Sequence, residues 1–148
     1  MTQPKEGPGG SAYVFDEVRV TDRADTEEGF VLFEPVNSAA QSSPEVAPIV
    51  IFMHGYGAYN PAVYGKWIDH LVKKGNIVIF PRYQKNLFSP TPDEFVANSL
   101  TGIRSALDTL CNGDHVVPDT SGVTMVGHSF GGAIIANILA TWNDFDIP

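Results

Sequence analysis

The chain of 148 residues has the length of about one domain, and its 43% hydrophobic and 18% charged residues are typical of a globular protein. Its formal net charge of −8 repels phosphate backbones, which argues against nucleic-acid binding. The single cysteine, Cys111, excludes an intrachain disulfide and a metal site built from several cysteines.

The first third of the chain predicts a tail and a pair of strands. Residues 1–11 contain Gly7-Pro8-Gly9-Gly10 and are predicted to be a flexible tail, ahead of a single domain over residues 12–148. Apolar residues between Tyr13 and Val20 indicate a strand, and Gly29–Phe33 indicates its antiparallel partner.

From residue 49 onward, strands and helices alternate. Continuous apolar runs, typical of strands buried on both faces, occur at Ile49–Met53, Ile77–Phe80 and Gly122–Val126. Helices with start or stop signals are predicted at Pro61–Lys74, from Pro92 to Leu110, and at Gly131–Trp142. The alternation predicts an α/β fold, a mostly parallel sheet with flanking helices that follows the antiparallel N-terminal pair.

The last predicted strand leads into a motif with a catalytic spacing. Gly127-His128-Ser129-Phe130-Gly131 is a G-x-S-x-G pattern at a strand-to-helix junction. Glycines flank the serine because the turn is too sharp for side chains there, and the serine hydroxyl is then held exposed above the sheet. The helix that follows points its N-terminus at this hydroxyl, which favours a developing negative charge. Ser129 is therefore predicted to be a nucleophile, and an inert tight turn is the alternative.

A second glycine-rich turn follows the first buried strand. His54-Gly55-Tyr56-Gly57 can direct a backbone N–H at the space above Ser129. Acyl transfer needs two such donors for the oxyanion of the tetrahedral intermediate. The amides of Tyr56 and Phe130 are predicted to supply them, and His54 is expected to brace the loop rather than act as a base.

Four segments together resemble the α/β-hydrolase superfamily: Ile51–Gly57, the helix from Pro61, Ile79–Tyr83 and Gly127–Gly132. They are most similar to the branch that contains dienelactone hydrolases, chlorophyllases, cutinases and polyester hydrolases, and the resemblance runs from about residue 13 to the end. It implies a Ser129 nucleophile and an oxyanion hole made by the Tyr56 and Phe130 amides. It implies no cofactor or metal.

The chain departs from this family in its catalytic triad. The family's chain order is Ser, then Asp or Glu, then His, but the residues after Ser129 include Asp144 and Asp146 and no histidine. A helix between them would put Asp144 about 22 Å from Ser129. The upstream histidines are all predicted to be poor bases: His54, His70, His115 and His128. We therefore expect this chain to be the N-terminal part of a longer hydrolase. The triad acid and histidine would then lie in missing sequence or on another chain.

The same truncation has a structural consequence. Without the later strands of the family's sheet, the strand at Val123–Val126 becomes an exposed apolar edge, which can pair with another chain. The sequence therefore predicts a homo-oligomer that forms through this sheet edge.

Several aromatic residues follow the predicted strands and are candidates for an acyl or aromatic pocket: Tyr59, Tyr64, Trp67 and Tyr83. Ordinary packing is an equally favoured role for them. Cys111 has no histidine motif around it and is predicted to be a buried or inert thiol rather than a nucleophile.

Two functions of different classes follow from these observations. The first is a serine hydrolase of small-molecule or polymeric carboxylic esters; the alternative is a truncated, catalytically impaired module that self-associates or binds an acyl ligand. The longest apolar runs fall far short of the ~20 residues of a membrane helix. No signal peptide is visible, so the location is predicted as cytoplasmic or left unassigned.

Overall fold

The computed structural model describes residues 2–39, 42–88 and 92–141. These residues form one mixed sheet with the order β1-β2-β4-β3-β5. The strands are β1 (Glu17–Arg23), β2 (Phe30–Val36), β3 (Val46–Met53), β4 (Ile77–Pro81) and β5 (Val117–Gly127). The helices are α1 (Gly65–Lys73), α2 (Phe95–Cys111) and α3 (Phe130–Ala140), and short 3₁₀ turns at Pro61–Tyr64 and Pro92–Glu94 lead into the first two. The predicted α/β fold is confirmed.

The two central strands carry the core on both faces of the sheet. Along β3, Ile49, Ile51 and Met53 belong to one buried cluster, which includes residues of α2 and α3. Val50 and Phe52 belong to the other cluster, which includes residues of α1. Successive side chains of a strand point to opposite faces, so a strand covered on both sides must be apolar throughout. Burial of β3 and β4 on both faces is thus confirmed.

The predicted burial on both faces was wrong for β5, whereas among the described residues the strand does lie at an edge of the sheet, as the sequence also predicted. Among the described residues it pairs only with β3, in parallel. Its apolar residues Val123, Met125 and Val126 are only partly buried, because no element covers its outer side in these ranges. The strand also begins at Val117, five residues before the predicted start, and its register with β3 shifts between Pro48 and Ile49.

The N-terminal residues lie against α1. The first strand begins at Glu17. The prediction that Tyr13–Phe15 belongs to this strand was therefore wrong. The amides of Val14 and Phe15 instead donate to the Lys73 carbonyl oxygen at the end of α1. The Lys74 ammonium donates to the carbonyl oxygens of Gly7 and Ala12. The tail thus has contacts with the domain, and its flexibility stays a prediction.

Some predicted features fall outside the described residues, namely Thr91 before the second helix and Trp142 at the end of the third. Within the described ranges, each helix is too short or too polar to cross a membrane.

Candidate active site

The β5–α3 junction forms a sharp turn with Ser129 at its apex. Ser129 has φ 53° and ψ −119°, a left-handed conformation that a residue with a side chain rarely adopts. The close approach of the chain explains the glycines around it. A Cβ atom on Gly127 would lie 2.8 Å from the Gly132 nitrogen, and one on Gly131 would lie 2.2 Å from the Met53 carbonyl oxygen. The motif therefore holds an exposed serine in strained backbone.

Three amides of this turn are hydrogen-bonded to other parts of the described chain, and the Phe130 amide is not. The His128 amide donates to the Met53 carbonyl oxygen at 3.0 Å, and those of Gly131 and Gly132 donate to the carbonyl oxygens of His128 and Ser129. The Phe130 amide has no acceptor in the described part of the chain. Phe130 is the first residue of α3, where a helix leaves its N–H groups without internal partners.

The loop after β3 leaves a second amide free. The Gly55 amide donates to the Tyr64 hydroxyl oxygen at 2.8 Å. The Gly57 amide donates to Oε1 of Gln84 at 2.7 Å, and Gln84 is fully buried. The Tyr56 amide between them meets no acceptor among the residues described. The two neighbours of Tyr56 are thus tied down while its own N–H stays available.

The two loops are in contact through aromatic rings. The Tyr56 and Phe130 rings meet edge to face with centroids 6.2 Å apart. Both also contact Phe95 at the start of α2, at 6.5 Å and 5.7 Å between centroids. Tyr56 and Phe130 keep 44% and 36% of their surfaces exposed. The structure therefore brings the predicted nucleophile turn and the predicted oxyanion loop together on one open surface.

The four histidines of the chain each bond elsewhere than to Ser129. The ring nitrogens of His54 lie within hydrogen-bond distance of the Gly55 and Arg82 carbonyl oxygens. Those of His70 contact the Tyr13 hydroxyl and the Pro8 carbonyl oxygen. His115 contacts the Glu34 carboxylate, and His128 contacts the Tyr64 hydroxyl. The two aspartates after the serine, Asp144 and Asp146, lie outside the described residues. In the described part of the chain, none of the four histidines therefore makes the hydrogen bond to Ser129 that a catalytic base would make.

His54 is a buried structural residue. Its ring stacks on that of Tyr83 with centroids 3.9 Å apart and an interplanar angle of 7°. Burial lowers the pKa of His54, against the opposing effect of the Gly55 and Arg82 carbonyls. A ring enclosed and hydrogen-bonded in this way braces the loop, as the sequence predicted.

The predicted pocket aromatics have separate positions. Tyr83 has no exposed surface, and its hydroxyl donates to the His54 carbonyl oxygen at 2.5 Å, so it packs rather than lines a pocket. Tyr64 is buried beside the Gly55 amide. Trp67 is 46% exposed and lines a cavity between α1 and the N-terminal residues. The Tyr59 ring lies 5.0 Å from the Arg82 guanidinium carbon.

Sequence reasoning missed the side chains that hold the loop after β3, the predicted oxyanion loop. Tyr64 was predicted only as a pocket residue, and Gln84 was not predicted at all. A glutamine three residues after a buried apolar strand is a weak signal by itself. Its role depends on a contact with Gly57, 27 residues away in the chain.

Comparison with known proteins gives a family and a fold. The family described as Chlorophyllase matches residues 17–143 of the chain. No curated protein matches it in sequence. Among solved structures, esterase Est22 with p-nitrophenol is 18% identical to this chain, with a TM-score of 0.63. The match covers 86% of this chain and 40% of the Est22 chain. A fungal esterase from Rhizomucor miehei is 17% identical with a TM-score of 0.59, over 90% of this chain and 43% of its own.

A third similar structure is the 2-hydroxy-6-oxo-6-phenylhexa-2,4-dienoate hydrolase of Rhodococcus sp. strain RHA1. It is 15% identical with a TM-score of 0.51, over 88% of this chain and 45% of its own. At such identities the likeness shows the fold alone, which is the predicted α/β-hydrolase fold. The chain spans less than half the length of these three structures.

Proposed function

This chain belongs to the chlorophyllase family, and from that premise we propose that it carries the nucleophile and oxyanion hole of a serine hydrolase for carboxylic esters. The Ser129 hydroxyl is the nucleophile, and the amides of Tyr56 and Phe130 bind the oxyanion. The histidine base and its carboxylate partner come from sequence outside this chain or from another chain. The substrate is a small-molecule or polymeric ester.

The observation that carries the proposal is the pairing of a strained serine with two unused amides. The Ser129 backbone is held in the left-handed region, and the amides of Tyr56 and Phe130 have no acceptor among the described residues. Donors fixed before the reaction stabilise a developing oxyanion without the cost of reorganising water. Two unpaired amides, on loops that contact each other beside an exposed serine, therefore support acyl transfer.

The proposed reaction proceeds in two steps. The Ser129 oxygen bonds to the acyl carbon while the base takes the hydroxyl proton, and the carbonyl oxygen becomes the oxyanion between the two amides. Collapse of this intermediate expels the alcohol, which receives the proton from the base. Water then attacks the acyl-serine by the same route, releases the carboxylic acid and restores the serine.

Covalent labelling of the 148-residue chain tests this proposal. We expect a small alkyl fluorophosphonate to label Ser129 slowly, because a serine hydroxyl without a base is a poor nucleophile. Without a complete triad, the oxyanion hole and binding still leave about 10³–10⁴-fold catalysis over water. Mass spectrometry of the digested protein identifies the site.

Ser129→Ala should remove the label, and Ser121→Ala, at an exposed serine in the middle of β5, should keep it. Label at other serines but not at Ser129 would contradict the proposal. Fast stoichiometric labelling of Ser129 would instead show that this chain supplies a base.

The free edge of β5 favours self-association as a second role for this chain. Only β3 pairs with β5 in the described ranges, and in the neighbouring helix α3 Leu139 is 58% exposed. An unpaired strand edge beside exposed apolar surface is a template for another copy. We expect light scattering at micromolar concentration to give the mass of a dimer or larger species. A stable monomer would contradict this role.

A further inference from the structure

The loop that carries the Tyr56 amide and the turn that carries Ser129 are joined by one side chain, Tyr64. Its ring is 9% exposed, and its hydroxyl lies between the two segments. The Gly55 amide donates to the hydroxyl oxygen at 2.8 Å, and the hydroxyl lies 2.9 Å from Nδ1 of His128. Gly55 precedes Tyr56, and His128 precedes Ser129. The contact thus connects the residues next to both functional groups.

The donors and acceptors available around the Tyr64 hydroxyl determine the direction of each hydrogen bond. The Tyr64 oxygen accepts the Gly55 hydrogen, so its own proton needs an acceptor in a buried place. His128 Nδ1 is the acceptor within reach in the described part of the chain. Donation from Tyr64 leaves Nδ1 of His128 without a hydrogen, and the neutral ring then carries its proton on Nε2.

The packing around this contact leaves little freedom. A Cβ atom on Gly55 would lie 2.9 Å from His128 Nδ1 and 3.3 Å from the Tyr64 hydroxyl oxygen. Only glycine lets the loop approach the turn this closely. The Tyr64 and His128 rings also meet with centroids 5.6 Å apart.

We propose that Tyr64 is a positioning residue, whose hydroxyl holds the oxyanion loop in register with the nucleophile turn. Its role in catalysis rests on the proposed function. By fixing Gly55 and His128 together, the hydroxyl sets the separation between the Tyr56 amide and Ser129. A displacement of about 1 Å between reacting groups costs up to 10²-fold in rate, so a small shift of this loop has a kinetic effect.

The first test uses nuclear magnetic resonance on the 148-residue chain and needs no catalysis. In Tyr64→Phe, we expect the Gly55 amide to exchange with solvent about 10-fold faster or more, because its acceptor is gone. The amide of Ile79 in the buried strand β4 should keep its rate. The His128 ring should change from one tautomer to a mixture, which its ¹⁵N shifts report.

Unchanged Gly55 exchange and an unchanged His128 tautomer would overturn the proposal. An equal acceleration at Gly55 and Ile79 would also overturn it, because it would report general destabilisation. Tyr13→Phe is the matched control, since it removes a similar contact, 3.1 Å from a hydroxyl to His70 Nδ1, beside the N-terminal residues. It should leave the Gly55 exchange rate unchanged.

The second test measures the rate at which a fluorophosphonate labels Ser129. We expect Tyr64→Phe to slow it by about 10-fold, less than the 10²–10³-fold cost of deleting an oxyanion donor. Tyr13→Phe should have the wild-type rate, and equal rates in all three proteins would overturn the positioning role. His128→Phe, at an exposed position, removes the acceptor from the other side and should also slow labelling. If wild-type Ser129 is not labelled at all, the proposed function fails, and the exchange experiment alone decides the role of Tyr64.

Discussion

Gly131→Ala is expected to remove detectable labelling of Ser129. Its Cβ atom would lie 2.2 Å from the Met53 carbonyl oxygen and 2.6 Å from the His54 carbonyl oxygen. Both are backbone atoms, so either the end of β3 or the turn at Ser129 must move. We expect a loss of about 100-fold or more in the labelling rate, since small displacements of reacting groups have effects of this size. Overpacking should cost ~1–3 kcal/mol in the free energy of unfolding.

Gly132→Ala is the matched control for this prediction. The adjacent glycine has nothing within 4 Å of its Cβ position, and it lies inside α3. Alanine is favoured over glycine in a helix by about 1 kcal/mol. Wild-type labelling together with equal or higher stability is therefore expected, measured by mass spectrometry and urea unfolding. Similar losses in both variants would show that the tight contact at Gly131 is not the cause.

Glu34→Ala is expected to lower the free energy of unfolding more than any other substitution proposed for this protein. Glu34 lies in β2 with its side chain fully buried, and it accepts from Arg19 at 2.6 Å and 3.2 Å. It also accepts from His115 Nδ1 and from the Val116 amide, both at 2.9 Å. Removal of one partner from a buried ionic cluster leaves the other groups uncompensated, at a cost of about 3 kcal/mol in the free energy of unfolding.

The control for Glu34 is Asp69→Ala. Asp69 pairs with Lys73 at 3.2 Å on the surface of α1, with 48% of its side chain exposed. Exposed pairs contribute at most about 1 kcal/mol, so urea unfolding should show little change. An equal loss of stability in both variants would contradict the importance of burial.

The same carboxylate makes stability depend on pH. Burial raises the pKa of Glu34, but hydrogen bonds from Arg19, Val116 and His115, with the Arg19 charge, outweigh it and hold this pKa below its usual value of 4.5. The folded protein therefore binds the proton less readily than the unfolded chain. The contribution of Glu34 is complete above the unfolded pKa and is lost as pH falls through the folded pKa. Stability should fall less steeply below pH 4.5 in Glu34→Gln than in the wild type.

Local patterns in the sequence were enough to predict the central strands and the sharp turn at Ser129. A strand covered on both faces must be apolar at every position, and Ile49–Met53 and Ile77–Phe80 have that composition. A turn as sharp as that at Ser129 requires small residues beside it, and Gly127 and Gly131 satisfy this need. Both constraints act within a few residues, so they can be recognised without knowledge of the rest of the chain.

Contacts between distant segments depend on the tertiary structure, and no local pattern reveals them. The sequence predicted an exposed edge at β5, but the fact that its apolar residues are only partly buried depends on how the sheet and helices pack. The bonds from Gly55 to Tyr64 and from Tyr64 to His128 join residues 9 and 64 positions apart. Glu34 and His115 are 81 positions apart. A buried polar atom can form a hydrogen bond with any complementary group of suitable geometry, so residue type alone does not identify its partner. The packing of strands and helices determines which group lies within reach.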